Sequence, residues 1–172
     1  MSNKKYEFTG KTINHLDITL HQIRRLSDGS IGGFIESEEN LSHYGNCFVY
    51  HNAKVTGNAM VTGNAWVTDS AWVTDSARVT DNAVVSDNAW VTGDAWVTGD
   101  AIVSEPTVFL SFNQKYSVTI TDSLIQWGCR QFMLWDLKQF KHSDCTEEWD
   151  KDVFETHKRI IMEAAKLKWG IN

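Results

Sequence analysis

Residues 52–105 read NAKVTG NAMVTG NAWVTD SAWVTD SARVTD NAVVSD NAWVTG DAWVTG DAIVSE, nine hexads in unbroken register. Within each hexad the Ala and the Val are two residues apart, so in an extended chain both point to one side. The residue between them and the Thr or Ser after Val point to the other. The Asn, Ser, Asp and Gly that separate these short strands are turn formers. A strand of about three residues followed by a corner, repeated every six, gives a prism of stacked coils, with parallel pairing about 4.8 Å from rung to rung. The register extends outward in both directions. GNCFVY places Cys47 at the Ala position and Val49 at the Val position, and EPTVFL places Thr107 and Phe109 there, so the regular section runs over residues 46–110.

The flanks differ in composition. Residues 1–45 form an N-terminal β cap, in which ITLHQIRRLSDGSIGGFIES reads as two strands around a Ser-Asp-Gly turn. Residues 111–172 form a C-terminal α+β module. There YSVTITDSLIQWG reads as a hairpin, MLWDLKQF as a short helix, and a longer helix follows Thr146. Trp149, Val153, His157, Ile160, Ala164 and Leu167 keep one helical stripe, which Phe154, Ile161 and Ala165 widen. Asp144 or Thr146 is placed to cap its start, Glu147, Glu148 and Asp150 suit its first turns, and Lys166 and Lys168 its last. The stripe needs burial, either on the module's own hairpin (Val118, Ile120, Leu124, Trp127) or on a partner. His157 on its apolar side reads as a packed core histidine.

The hexads resemble the hexapeptide-repeat proteins of the left-handed parallel β-helix family, in which three hexads make one coil. Triangle and handedness come from that resemblance, since periodicity alone gives only stacked turns. A closer likeness is to uncharacterised members encoded by bacterial prophages, whose repeats follow a segment similar to IGGFIESEENLSHYGNCFVYHNA, here beginning at Ile31. The expected fold is therefore mainly β, a single-stranded parallel β-helix with a β cap and a C-terminal α+β module. The resemblance implies a phage or prophage origin and no established chemistry.

With three hexads per coil, residues eighteen apart stand above one another. The outward positions sort into Phe48, Trp66, Val84 and Ile102 on a first face, Lys54, Trp72, Trp90 and Val108 on a second, and Met60, Arg78 and Trp96 on a third. Inside are Ala and Val, with Cys47 at one end as a small buried hydrophobe and Phe109 plugging the other. So thin a core implies that an outer apolar face is covered by this chain or by another copy. The tryptophans are either stacking ladders across rungs or an interface. If an interface forms, the first or the second face is expected to carry it, in a dimer or a trimer.

One corner column collects His51, Asp69, Asp87 and Glu105. Carboxylates at rung spacing repel unless they are hydrated, bonded as Asx turns, or paired with calcium or a basic partner, and the Asx turn is the preferred reading. From residue 51 to 105 seven acids face Lys54 and Arg78, a net charge of −5, whereas residues 106–172 carry nine charges of each sign.

These features bear on function by exclusion. A net charge of −6 argues against direct nucleic-acid binding, which needs clustered Lys and Arg. No apolar run approaches the ~18 residues of a membrane span, and MSNKKYEFTG has no apolar stretch behind its lysines. Both point to the cytoplasm, which the prophage resemblance implies is that of a bacterial host cell. Cys47, Cys129 and Cys145, without CxxC spacing, suggest reduced thiols, no disulfide framework and no metal site. Hexapeptide-repeat proteins are best known as trimeric acyltransferases with an acyl-CoA donor and a coil histidine as general base. The resemblance implies His51 for that role, but no loop interrupts residues 52–105 to build an acceptor pocket. The expected protein is a non-enzymatic scaffold without a cofactor, which self-associates and binds a host or phage protein through its C-terminal module. Inhibition of a host antiviral system is its most specific version, and the acyltransferase is the alternative.

Overall fold

A computed structural model describes residues 4–112, 116–128, 130–145 and 149–171. Three strands open the chain: β1 (Tyr6–His15), β2 (Ile18–Arg25) and β3 (Ile31–Ile35). Ten two-residue strands follow, β4 to β13: Phe48–Val49, Lys54–Val55, Met60–Val61, Trp66–Val67, Trp72–Val73, Arg78–Val79, Val84–Val85, Trp90–Val91, Trp96–Val97 and Ile102–Val103. They stack in parallel with residues eighteen apart in register. Phe48, Trp66, Val84 and Ile102 form one column, Lys54, Trp72 and Trp90 a second, and Met60, Arg78 and Trp96 a third. The protein is a parallel β-solenoid with a small C-terminal helical part, as the hexads predict.

The alternation of side chains is complete. Every Ala and Val at the two inward positions of the hexads from Ala53 to Val103 is buried, Cys47 closes one end of this core, and Phe109 packs against the other. Each corner is made the same way. The sixth residue of successive hexads, from His51 to Gly99, has a φ between 52° and 67°, the left-handed region. Glycine enters it freely, and Asp more readily than most residues because its short side chain bonds locally. That restriction is why this place is shared between Gly and Asp, and His51 is the one corner that departs from them.

Both ends of a solenoid expose backbone groups that have no further coil to pair with, and burying them unpaired is costly. At the first coil the cap supplies donors. The amides of Phe34, Glu36 and Ser42 reach the carbonyls of Ala53, Val55 and Val61, and the Asn40 amide group reaches those of Gly57 and Ala59, both at 2.9 Å. This requires Gly33, where a Cβ would stand 2.5 Å from the Ala53 carbonyl oxygen. The hairpin of β1 and β2 turns at Leu16 and Asp17, both at positive φ, and brings His15 edge-on to the Trp72 indole, with ring centroids 4.8 Å apart. The sequence reading had two strands here, and β1 is a third.

At the last coil the C-terminal module does the same work. Its sheet runs through β14 (Val108–Phe112), β15 (Tyr116–Ile120), β16 (Ile125–Trp127) and β17 (Arg130–Phe132), all antiparallel. Two helices follow, α1 (Leu134–Gln139) and α2 (Lys151–Trp169). The Trp96 amide donates to Thr119 Oγ1 at 2.9 Å, Gln131 donates to the Thr98 carbonyl at 2.8 Å, and Asp122 accepts from the Ser104 and Glu105 amides. The module therefore sits on the end of the prism, not on a face.

Two expectations are corrected here. Val108 was placed above Trp90, but no further hexad follows to extend the second column, so its strand turns away to pair with β15 and packs into the module's core. Helix α2 starts later than expected, capped by Asp150, which accepts from the Asp152 and Val153 amides. Thr146, Glu147 and Glu148 lie outside the described residues. The helix does pack on its own hairpin, burying Phe154, Ile161 and Ala165 against Val118, Ile120 and Trp127. Leu124 instead packs on the solenoid core. Because Phe154 stacks on Trp127 at 5.5 Å, the buried line is turned away from Val153, Ile160 and Leu167, which are exposed. No helix among the described residues is long and apolar enough to cross a membrane.

Candidate functional site

The first face is only partly open. Phe48, expected to point outward into an interface, is fully buried. The Arg25 guanidinium lies 4.2 Å from the centre of its ring, and Tyr50 meets its edge at 4.9 Å. Above it, Trp66 is 49% and Ile102 57% exposed, with Val84 half-buried between them. On the second face Trp72 and Trp90 stack, and Trp72 is held further by its Nε1 donating to Thr56 Oγ1 at 3.2 Å. Trp90 remains 46% exposed. On the third face Arg78 lies 5.6 Å from the Trp96 ring centre. There Met60, Arg78, Trp96 and Gln126 line an open groove of about 560 Å³.

The corner acids divide into two kinds. Asp75 and Asp81 are tied to the coil above: each accepts from a hydroxyl, Thr92 or Thr98, and from an amide, Gly93 at 3.0 Å or Gly99 at 3.1 Å. These hydroxyls, then the amides, hold both carboxyls below the usual carboxylate range. The ridge of Asp69, Asp87 and Glu105 is bound less. Asp87 takes a bond from its neighbour Ser86 at 3.0 Å, and Asp69 lies 3.4 Å from the His51 imidazole. At its upper end Asp122 joins the ridge, paired with Lys168 at 3.1 Å. Burial works to raise the Asp122 carboxyl, but the Ser104 amide and hydroxyl and the Lys168 ammonium outweigh it and leave it lowered. Among the described residues no group of three or more His, Cys, Asp or Glu is placed to hold a metal ion.

His51, the candidate base, stands at an exposed corner with its Nδ1 2.9 Å from Thr68 Oγ1. It lines neither the third-face groove nor the second groove described next. Cys47 and Cys145 are free thiols, and Cys129 lies outside the described residues.

The sequence reading missed a groove of about 680 Å³ at the N-terminal end of the first face, whose walls include Lys4, Lys5, Arg25, Tyr44, Tyr50 and Trp66. These residues come from five separate stretches of the chain. No local spacing signals them, because only the packing of the cap onto the first coils brings them together.

No protein-family model matches the chain, and no curated protein matches it. The fold and its caps define the class, a capped parallel β-solenoid.

Proposed function

We propose that the protein is a non-enzymatic scaffold that self-associates through the first face and binds a protein partner through the C-terminal module. One observation carries the reading: with both caps in place, Trp66, Trp90, Trp96 and Ile102 are still 40–57% exposed. Large apolar groups left in columns on a rigid surface are the mark of an interaction site, and tryptophan is enriched at interface centres. The first face is favoured over the second because the second is partly occupied by His15 on Trp72 and has lost Val108 to the module. For the partner, Val153, Ile160 and Leu167 leave an exposed apolar line along α2, spaced by seven residues. The prophage setting, the host cytoplasm and inhibition of an antiviral system form the narrower version of this proposal, supported by the resemblance of residues 31–53 and by the acidic charge.

Sedimentation at micromolar concentration tests the first part. An oligomer is expected for the wild type, and Val84→Asp with Ile102→Asp should release a 19.5 kDa monomer. A monomeric wild type would end the self-association proposal. Ile160→Asp with Leu167→Asp should abolish partner capture from host lysate and leave the oligomer intact. Stabilisation by acyl-CoA or free CoA that disappears in His51→Ala would favour the acyltransferase instead.

A further inference from the structure

We propose that the groove between the N-terminal cap and the first face binds a free nucleotide, its phosphate beside Lys4, Lys5 and Arg25 and its base against Tyr44 and Trp66. The volume, about 680 Å³, lies within the roughly 300–1,000 Å³ of small-molecule sites. Its chemistry is the reverse of the prism's. In a chain of net charge −6, three cations converge on one concavity.

Those cations are prearranged. Arg25 donates from Nη2 to the Tyr50 hydroxyl at 2.7 Å, rests on the Phe48 ring and has Nη1 3.5 Å from the Asp28 carboxylate, so its planar fork is already ordered before a phosphate arrives, with part of its charge met by Asp28. The Lys5 ammonium donates to the Cys47 carbonyl at 2.7 Å, the Cys47 sulfur at 3.0 Å and the Gly45 carbonyl at 3.4 Å, so its three protons are taken up by the chain. No carboxylate pairs with it among the described residues, and it offers the groove its positive charge. Lys4 is bonded to Glu38 at 2.8 Å, which leaves two of its three donors.

Flat surfaces complete the site. Tyr44 is 83% exposed, an unusual position for an aromatic ring on a folded surface. It is held there by the turn that follows: Gly45 has φ 72°, and a Cβ on it would stand 2.2 Å from the Gly63 carbonyl oxygen. The loop therefore lies directly on the next coil. Trp66 presents its indole with Tyr50 against it edge-on at 5.8 Å. Rings of this kind stack on any nucleobase, and clustered cations hold its phosphate. The third-face groove has a ring but a single cation, Arg78, and is the weaker match. A polynucleotide is disfavoured because the acidic corners would repel a long polyanion, whereas a single nucleotide brings few charges to one place.

Calorimetric titration of the intact protein with ADP, GDP, UDP and CDP tests this, beside adenosine and inorganic phosphate. Nucleotides should bind at least about tenfold tighter than either half-ligand, and more weakly as salt rises. Tyr44→Ala and Lys4→Ala, both at exposed positions, should each reduce affinity about tenfold with the melting temperature unchanged. Absence of nucleotide binding at about 1 mM, equal affinity for phosphate alone, or unchanged affinity in both variants would overturn the proposal. Trp66 belongs to both surfaces, so Val84→Asp, which perturbs self-association without touching the groove, should bind nucleotide at least as tightly as the wild type, and the two readings fail separately. Loss of nucleotide binding in that variant would overturn the assignment of the groove to one chain.

Discussion

The indoles of Trp72 and Trp90, eighteen residues apart, lie within 3° of parallel with centroids 5.3 Å apart. The spacing is that of one rung, so the pair is a direct product of the hexad register. The two rings are not equivalent. Trp72 is half-buried, meets His15 and donates to Thr56, whereas Trp90 is 46% exposed. Trp90→Ala should cost about 1 kcal/mol, the worth of an aromatic pair. Trp72→Ala should cost about 2–3 kcal/mol, below the range for a fully buried Trp because the ring is partly solvated. Urea unfolding of the two variants measures the difference, and equal losses would mean that the hairpin contact contributes nothing.

The corners give a backbone test. Asp81 sits at φ 59° and accepts from Thr98 and Gly99 of the coil above. In Asp81→Ala both bonds go and a methyl-bearing residue must hold the left-handed corner, a loss of about 2 kcal/mol. Asp81→Gly loses the same bonds but relieves the backbone, and should lose no more than about half as much. If glycine proves the worse of the two, the left-handed corner is not what costs the alanine variant its stability.

The register and the columns were legible in the hexads, because a six-residue period fixes both which side chain points inward and which residue stands above which. What the sequence could not give were the ends. Val108 continues the pattern by its letters, yet its strand pairs with β15, because a coil needs another coil above it and the repeat stops there. Phe48 has an outward position by its register but is covered by Arg25, twenty-three residues earlier in the chain. The 680 Å³ groove is invisible for the same reason: its residues meet only through the fold of the cap.

Acid sensitivity should come from the tied corners. The carboxyls of Asp75 and Asp81 are held down in the folded state by Thr92 and Thr98 first, then by the amides of Gly93 and Gly99. A lowered folded pKa means stability that is fully present above the ordinary aspartate value of about 4 and is lost as pH falls through the folded values. Melting temperature should therefore fall below about pH 4, and Asp75→Asn with Asp81→Asn should flatten that limb. His157 adds a separate limb: burial lowers its pKa, so the unfolded chain takes up the proton first and stability declines below about pH 6.5. A His157→Phe variant that keeps the upper limb would place its origin elsewhere.

The ridge of Asp69, Asp87 and Glu105 should behave differently from those corners. Replacing all three with Asn removes charge and touches one contact to a neighbouring coil, the exposed 3.4 Å approach of Asp69 to His51, so stability should change by no more than about 0.5 kcal/mol per site. If a basic partner docks there, capture should weaken and its salt dependence flatten. Unchanged capture with an unchanged salt response would leave the ridge as corner chemistry alone.

Asp122 should prove the most costly polar side chain at the junction of prism and module. It accepts from the Ser104 hydroxyl at 2.8 Å and the Glu105 amide at 3.2 Å, takes the Ser104 amide as well, and pairs with Lys168 at 3.1 Å. The Lys168 side chain is only 9% exposed, so removing its partner leaves a nearly buried ammonium with the Pro106 carbonyl at 2.9 Å as its remaining acceptor, beside two unpaired amides. Asp122 itself is 24% exposed, which puts the expected loss in Asp122→Ala near the lower end for a broken buried pair, about 3 kcal/mol. Lys168→Met should cost less, about 1 kcal/mol, because Asp122 keeps its three donors from the prism and the Lys168 stem is replaced by one of similar shape. In the double variant the losses should fall short of the sum, since no ammonium without a counter-charge remains. Hydrogen exchange should report the same event locally, with the Ser104 and Glu105 amides losing protection in Asp122→Ala and keeping it in Lys168→Met. Equal protection in both would show that the end of the prism is closed by the apolar packing of Phe109 and Leu124, with the carboxylate contributing little.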